Sequence, residues 1–365
     1  MAYKDLVVRG PFKGIYDNLP DPYCPQESFR DVLNFFCRKG RVHTRPRLNE
    51  FTAPPDGLLV RNMFTFADAN GGKHTVVLTT QHAYYLTEGG TYTELTYPTE
   101  MSDLSGTGLP YSLAYILDRV YFSNGSRYVI YCDGEIDLKV AGTGDSMVPG
   151  SARFLTVNAY HLLLGWTQEP PNGYDGSLTW RKRVRWSKSG DPDNYLDFSS
   201  GFSDLFEVPD EITGMCTLGR NTFIFRSNGI SVATPTGIGL APFAFEQYSY
   251  SPLGVGSIHP YSLAVYGNRA FFISNDDIYA FDSSQVAPIG GAAKKKIFTD
   301  LEQATGDVVC GFVIPRFGIG FDFLSYWISI PGVNSCWICN LEEGSWVRFE
   351  TAWGRLTALN TVVTV

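Results

Sequence analysis

The chain has 365 residues, 44% of them hydrophobic, 15% aromatic and 18% charged, with a formal net charge of -8 at pH 7. The charged share is below the roughly 25% of ordinary globular domains, and the acidic balance excludes a broadly basic surface for nucleic acid, while abundant aromatic and β-branched residues exclude disorder. With 37 glycines and 21 prolines, the sequence predicts an all-β protein of short strands joined by turns.

The first residues, Met1-Ala2-Tyr3-Lys4-Asp5, lack an apolar stretch, so no signal peptide is expected. No apolar run approaches the length of a membrane span. Residues 1–56 differ from the rest. Arg9-Gly10-Pro11-Phe12 and Leu19-Pro20-Asp21-Pro22 are turn-rich, 25–35 suits a short helical turn before an extended stretch, and 41–46 alternates like an edge strand. This segment is expected to be an N-terminal arm or the first strands of the body.

From 57 to 365 a unit recurs: an aromatic or β-branched strand, a tight polar turn and a second such strand. It is clear at 118–131, 219–230 and 267–279, and weaker at 74–86, 159–166 and 324–341. Starts near Gly71, Asp118, Asn158, Gly219, Gly267 and Asp322 leave intervals of 40 to 61 residues. That spacing predicts a β-propeller of about six blades, each a four-stranded sheet that buries its faces against its neighbours. Paired β-sandwiches or barrels are the alternative. In these hairpins the Asn-Gly and Asn-Asp pairs are expected where a turn demands positive φ. The stretch 165–203 reads as a long loop or inserted hairpin within one blade, and 356–365 as a strand completing a blade begun elsewhere.

Chemistry-bearing patterns are scarce. The five histidines show no metal spacing, and His161, in an apolar strand, reads as a satisfied core imidazole. Nucleophile-elbow and phosphate-loop motifs are missing. The G-x-G pairs at Gly237/Gly239 and Gly318/Gly320 lack a strand-to-helix setting. The carboxylate pairs Asp133/Glu135, Asp191/Asp193, Asp276/Asp277 and Glu342/Glu343 all fall in turns, where such groups cap backbone more often than they catalyse. Asp191, Asp193 and Asn194 offer oxygen ligands for calcium without a full binding loop. Cys336 and Cys339 have redox spacing, but on a strand their sulfurs point to opposite faces, which favours packing. The seven unevenly spaced cysteines fit reduced thiols made in a cytoplasm. The expectation is a non-enzyme with neither cofactor nor metal.

The most informative cluster is 179–195, where Arg181, Arg183 and Arg185 alternate with Lys182, Val184 and Trp186. A basic stripe on one strand face suits a solvated surface, a protein interface or a nucleic-acid contact. An interface is expected at Arg181, Arg183, Arg185 and Trp186.

The run Val184-Arg185-Trp186-Ser187-Lys188-Ser189-Gly190-Asp191-Pro192-Asp193-Asn194-Tyr195 is followed by Gly201, Leu205, Ile212-Thr213-Gly214 and the hairpin at 219–229. Together with Pro25, Phe29, Arg30, Asp31, Asn34, Gly40, Val42, Thr44, Arg45 and Pro46, it resembles the tail nozzle, or packaged-DNA stabilisation, proteins of short-tailed bacteriophages. The likeness runs from residue 9 to about residue 290; Arg47 stands where the pattern commonly has Gly. It implies a structural virion protein of the tail, a head-completion component made in the host cytoplasm. Its partners would be its own copies in a ring, expected to be a hexamer, a tail adaptor or portal-side protein, and tail fibres, with genome DNA only in transit. Catalytic residues are not implied. The alternative is a carbohydrate- or receptor-binding propeller whose Tyr and Trp rings stack on sugars.

Overall fold

A computed structural model describes residues 15, 29, 33, 35–39, 41–44, 53–126, 128–142, 150–169, 178–206, 209–247, 254–316, 323–333 and 335–350. The hairpin β1 (Phe35–Arg38) and β2 (Arg41–Thr44) precedes six four-stranded antiparallel sheets, each built from strands consecutive in sequence. Blade 1 holds β3 (Val60–Ala67), β4 (Lys73–Thr79), β5 (Ala83–Leu86) and β6 (Tyr92–Glu94). Blade 2 holds β7 (Ser112–Ile116), β8 (Arg119–Ser123), β9 (Ile130–Cys132) and β10 (Lys139–Val140). In blade 3 are β11 (Ser151–Asn158), β12 (His161–Glu169), β13 (Leu178–Trp186) and β14 (Gly201–Asp204), and in blade 4 β15 (Ile212–Leu218), β16 (Asn221–Arg226), β17 (Ile230–Ile238) and β18 (Ala241–Gln247). Blade 5 comprises β19 (Ala264–Tyr266), β20 (Arg269–Ile273), β21 (Ile278–Phe281) and β22 (Val286–Pro288); α1 (Lys294–Glu302) leads on to blade 6, with β23 (Cys310–Ile314), β24 (Ser325–Ile330), β25 (Ser335–Asn340) and β26 (Ser345–Glu350).

Adjacent blades share their cores. Phe64, Phe66 and Val76 of blade 1 pack with Val120, Phe122 and Ile130 of blade 2, and Tyr121 and Tyr131 with Leu155, Leu162 and Leu164 of blade 3. Leu163, Val184 and Trp186 meet Met215, Ile224 and Phe243 of blade 4. Phe223 and Phe225 meet Phe272 and Phe281 of blade 5, and Phe271 and Ile273 meet Ile328 and Trp337 of blade 6. First strands from five of the blades line a cavity of about 530 Å³, and blade 1 reaches it through Asn62 of β3. The fold is a six-bladed β-propeller.

Five of the six recurrent hairpins of the sequence are the second and third strands of their blades, whereas the copy at 159–166 covers only part of β12, the second strand of blade 3. The stretch 165–203, read as an insertion, instead supplies blade 3 with strands of its own: Gly165 pairs with Val184, and Trp186 with Gly201. Cys336 and Cys339 lie on opposite faces of β25, one packed with Phe312 and Trp327 and the other with Ile328 and Trp337.

Several described parts of residues 1–44 meet blade 6, while Ile15 also bridges to Phe29. The Ile15 amide donates to the Trp346 carbonyl at 3.1 Å, Leu33 bridges to Arg348, and the Lys39 amide donates to Glu343. Thus the arm lies along β26, an edge that would otherwise be open to association. The expected closing strand at 356–365 lies outside the described residues.

Candidate functional surfaces

The basic stripe sits on β13, the third strand of blade 3, paired on both edges by β12 and β14. Arg183 grips Asp204 with two bonds of 2.7 Å and reaches Glu169 at 3.1 Å, while Arg185 reaches the same Glu169 oxygen at 3.0 Å. Trp180 and Phe202 rings lie 3.8 and 3.9 Å from the Arg183 guanidinium carbon. Burial alone would lower the pKa of both arginines. Hydrogen bonding to Asp204 and the Glu169 charge hold Arg183 above its usual value, whereas burial keeps Arg185 below it. Two guanidinium and two carboxylate groups make a neutral, water-poor set. Trp186 donates to the Ser199 carbonyl at 3.1 Å and packs on Phe243 and Phe245 of blade 4.

Within the chain, therefore, Arg183, Arg185 and Trp186 are buried and hydrogen-bonded, with only Arg185 Nε of their polar atoms left buried without a partner among the described residues, and they do not present themselves to a partner. Arg181 alone of the four is exposed, 3.3 Å from Glu211. The alternation along the strand is as the sequence implies. The cover supplied by β14 and the 187–200 loop is a long-range feature that strand periodicity does not encode.

Members of the carboxylate pairs are held by partners both near and far in sequence. Lys139 binds Asp133 and Glu135 at 2.7 Å each, and Asp193 accepts from Arg119 and Tyr121 at 3.1 Å. Asp276 accepts from Tyr279, while Asp277 accepts from the Ile278 and Gly290 amides. Glu342 accepts from Arg316, and Glu343 from the Lys39 amide. His161 donates from Nδ1 to the Ser187 carbonyl at 2.6 Å, in the buried interior. Burial raises the Cys132 thiol to about 11, so it is a poor nucleophile at neutral pH. Among the described residues no group of three or more His, Cys, Asp or Glu is placed to hold a metal ion, and no helix is long and apolar enough to cross a membrane.

Two features escape a reading by motif. In a four-stranded meander the first-to-second and third-to-fourth turns fall on one face of the propeller, and the other connections on the opposite face. Of the exposed large apolar side chains, Leu117, Ile136, Tyr160, Leu196, Phe198, Ile238, Leu240, Val265 and Tyr266 all belong to that first face. Leu240 is 77% exposed, and Phe198 and Tyr160 71% each. Phe198 of blade 3 reaches the turn at Gly239 of blade 4, so the apolar turns of these two blades adjoin. The second feature is the mouth of the axial cavity on the opposite face. There Arg61 of blade 1 is joined to Asp307, just before blade 6, by bonds of 3.0 and 3.1 Å, and Arg153 lies beside Tyr261.

No protein-family model matches the chain, and no curated protein does. Some solved structures align with it at low similarity. The RRP9 WD40 repeats are 7% identical, with a TM-score of 0.47 over 82% of this chain and 83% of that one. The WD40 propeller of Doa1 is 11% identical, with a TM-score of 0.46 over 82% and 85%. Virginiamycin B lyase from Staphylococcus aureus is 11% identical, with a TM-score of 0.45 over 80% and 84%. Likeness at this level carries no argument about this chain.

Proposed function

We propose that this propeller is a structural subunit of a larger assembly, a tail nozzle or head-completion component of a virion that surrounds the DNA exit path with further copies of itself. The motifs at 25–46 and 184–229 support the reading through their resemblance to that group. The observation that carries it is the concentration of exposed apolar side chains in the turns on one face of blades 2 to 5, where nine of them lie, compared with Leu59 and Phe206 on the opposite face. Clustered apolar side chains of this size mark contact surfaces on soluble proteins, whereas scattered single ones do not. A ring needs heterologous contacts, in which one patch meets a different patch on the next copy, and a rigid disc with one adhesive face suits that need. The contact belongs to these turns rather than to Arg183 and Arg185, whose charges are already matched inside blade 3.

Native mass spectrometry and electron microscopy of the purified chain, alone and with the preceding tail component, test this. Closed rings are expected, six-fold on the resemblance. The exposed Phe198→Ser and Leu240→Ser changes together should weaken association while leaving the melting temperature nearly unchanged. Monomers under both conditions, assembly that survives the double change, or a reproducible hit on a glycan array would overturn the proposal.

A further inference from the structure

We propose that Arg153 anchors a carboxylate-binding site at the mouth of the axial cavity, on the face opposite the apolar turns. The site does not depend on the assembly reading. Arg61, Arg119, Arg181, Arg183, Arg185, Arg316 and Arg348 each have a carboxylate oxygen within 4.0 Å. Arg153 has none among the described residues, and its one hydrogen bond runs from Nε to the Tyr261 hydroxyl at 3.2 Å. A guanidinium carries five N–H donors. Among the described residues the four on its two terminal nitrogens remain, in the fork that suits a two-oxygen acceptor.

Aromatic rings surround this group. The Arg153 guanidinium carbon lies 5.5 Å from the Phe154 and Tyr261 ring centroids and 5.8 Å from that of Trp166. Phe154 and Tyr261 also line the cavity of about 530 Å³. Trp166 is delivered by a break in the pairing of β12 with β13, between Gly165 and Thr167, where its own φ is 58°. Such a bulge re-aims a side chain out of strand alternation. The indole N–H donates to Glu211 at 3.4 Å, which fixes the ring. Gly125 leaves room on the other side, since a Cβ there would stand 3.3 Å from Arg153 and 3.5 Å from Trp166. The rings partly dehydrate the cation and so strengthen a charge-assisted bond to it.

Charge selects the ligand. At the mouth, Arg61 and Asp307 neutralise one another, as do Arg181 and Glu211 nearby, which leaves the single positive charge of Arg153. A monoanionic carboxylate balances it, whereas a phosphate dianion overcompensates. The carboxylate comes either from a free small acid or from an acidic side chain of a peptide.

Titration of the full chain with acetate, with acetyl-Gly-Glu-Gly-amide, with its Gln counterpart and with inorganic phosphate, followed by tryptophan fluorescence, tests the site. Saturable quenching that is absent from Trp166→Phe is expected with the carboxylates. The Gln peptide should bind at least about tenfold more weakly, as loss of one charge-assisted pair predicts. Equal binding of acetate and the Glu peptide assigns the site to a free acid; tighter binding of the peptide assigns it to a side chain. Arg153→Gln should abolish the response with an unchanged melting temperature, and Arg153→Lys should weaken it severalfold without abolishing it. Retained binding in Arg153→Gln, phosphate binding tighter than any carboxylate, or no saturable response would overturn the assignment. Should Arg153→Gln fail to fold, the Lys variant and the Gln peptide decide in the same way.

Discussion

At the level of single residues, Glu169 is the hinge of blade 3. Its Oε2 accepts from both Arg183 and Arg185, and its Oε1 accepts from Thr167 at 2.8 Å, with a side chain only 7% exposed. Removing the charge strands two guanidinium groups in a desolvated layer, and an uncompensated buried charge costs about 3–5 kcal/mol. Glu169→Gln is therefore expected to lower unfolding free energy by that order in urea titration. Arg181→Ala, which loses only an exposed ion pair to Glu211, should change it by no more than about 0.5 kcal/mol. If the two variants unfold alike, the network does not hold the blade as described. The same logic explains why reversing Arg183 and Arg185 to Glu is a poor probe of assembly: four carboxylates would then share one buried layer.

At the level of elements, the turns between first and second strands carry the unusual backbone. Leu117 and Asp118 have φ of 51° and 59°, and Ala159 and Tyr160 have 48° and 62°, the double positive φ of a type I′ hairpin turn. A residue with a Cβ pays roughly 1–2 kcal/mol there, while Asn and Gly tolerate it. Replacing Ala159 with Asn and Tyr160 with Gly should stabilise the protein by about 1 kcal/mol, after the entropy that Gly forfeits. Tyr160 is 71% exposed and its carbonyl bond to Gly190 is backbone, so little packing is lost. Thermal unfolding checks the sign; a lower melting temperature would mean that this backbone is not strained. Positive φ was expected instead between second and third strands, and of those pairs only Gly125, at 78°, shows it. The turns at Asn228 and Asn275 close their hairpins without left-handed backbone, the Arg226 amide donating to the Gly229 carbonyl and the Ser274 amide to the Asp277 carbonyl. Five of the second-and-third-strand hairpins were legible because both strands are largely buried and read as apolar runs, whereas the charged β13 of blade 3 hid the sixth. First strands lining the axis, and fourth strands as short as Lys139–Val140, lack that signal. The Arg153 site was not legible, since it joins β11, a bulge in β12 and a loop before blade 5, and no local pattern reports their meeting.

At the level of the whole molecule, the ring has one seam of a different kind. Five of its blade junctions share a mixed apolar core, but among the described residues the outward face of blade 6, with Phe312, Trp327 and Phe349, forms a cluster that includes nothing from blade 1. Among the described residues every blade is made of consecutive strands, and none from one end of the chain joins a four-stranded sheet at the other. Among the described residues, Arg61 crosses the seam, bonded to both Asp307 oxygens with side chains 10% and 21% exposed. Local opening follows the weakest packing, so the propeller should open first between blades 6 and 1. In hydrogen exchange by mass spectrometry, amides of β3 and β23 should exchange sooner than those of β12 and β16, whose blades are packed on both sides. Asp307→Asn should widen that gap, because it removes the charge facing a nearly buried Arg61 and costs on the order of 3 kcal/mol at this junction. Blades 3 and 4 should keep their protection. Uniform loss across all six blades in the variant would show that the ring unfolds as one unit, and that the ion pair contributes to the whole rather than to its seam.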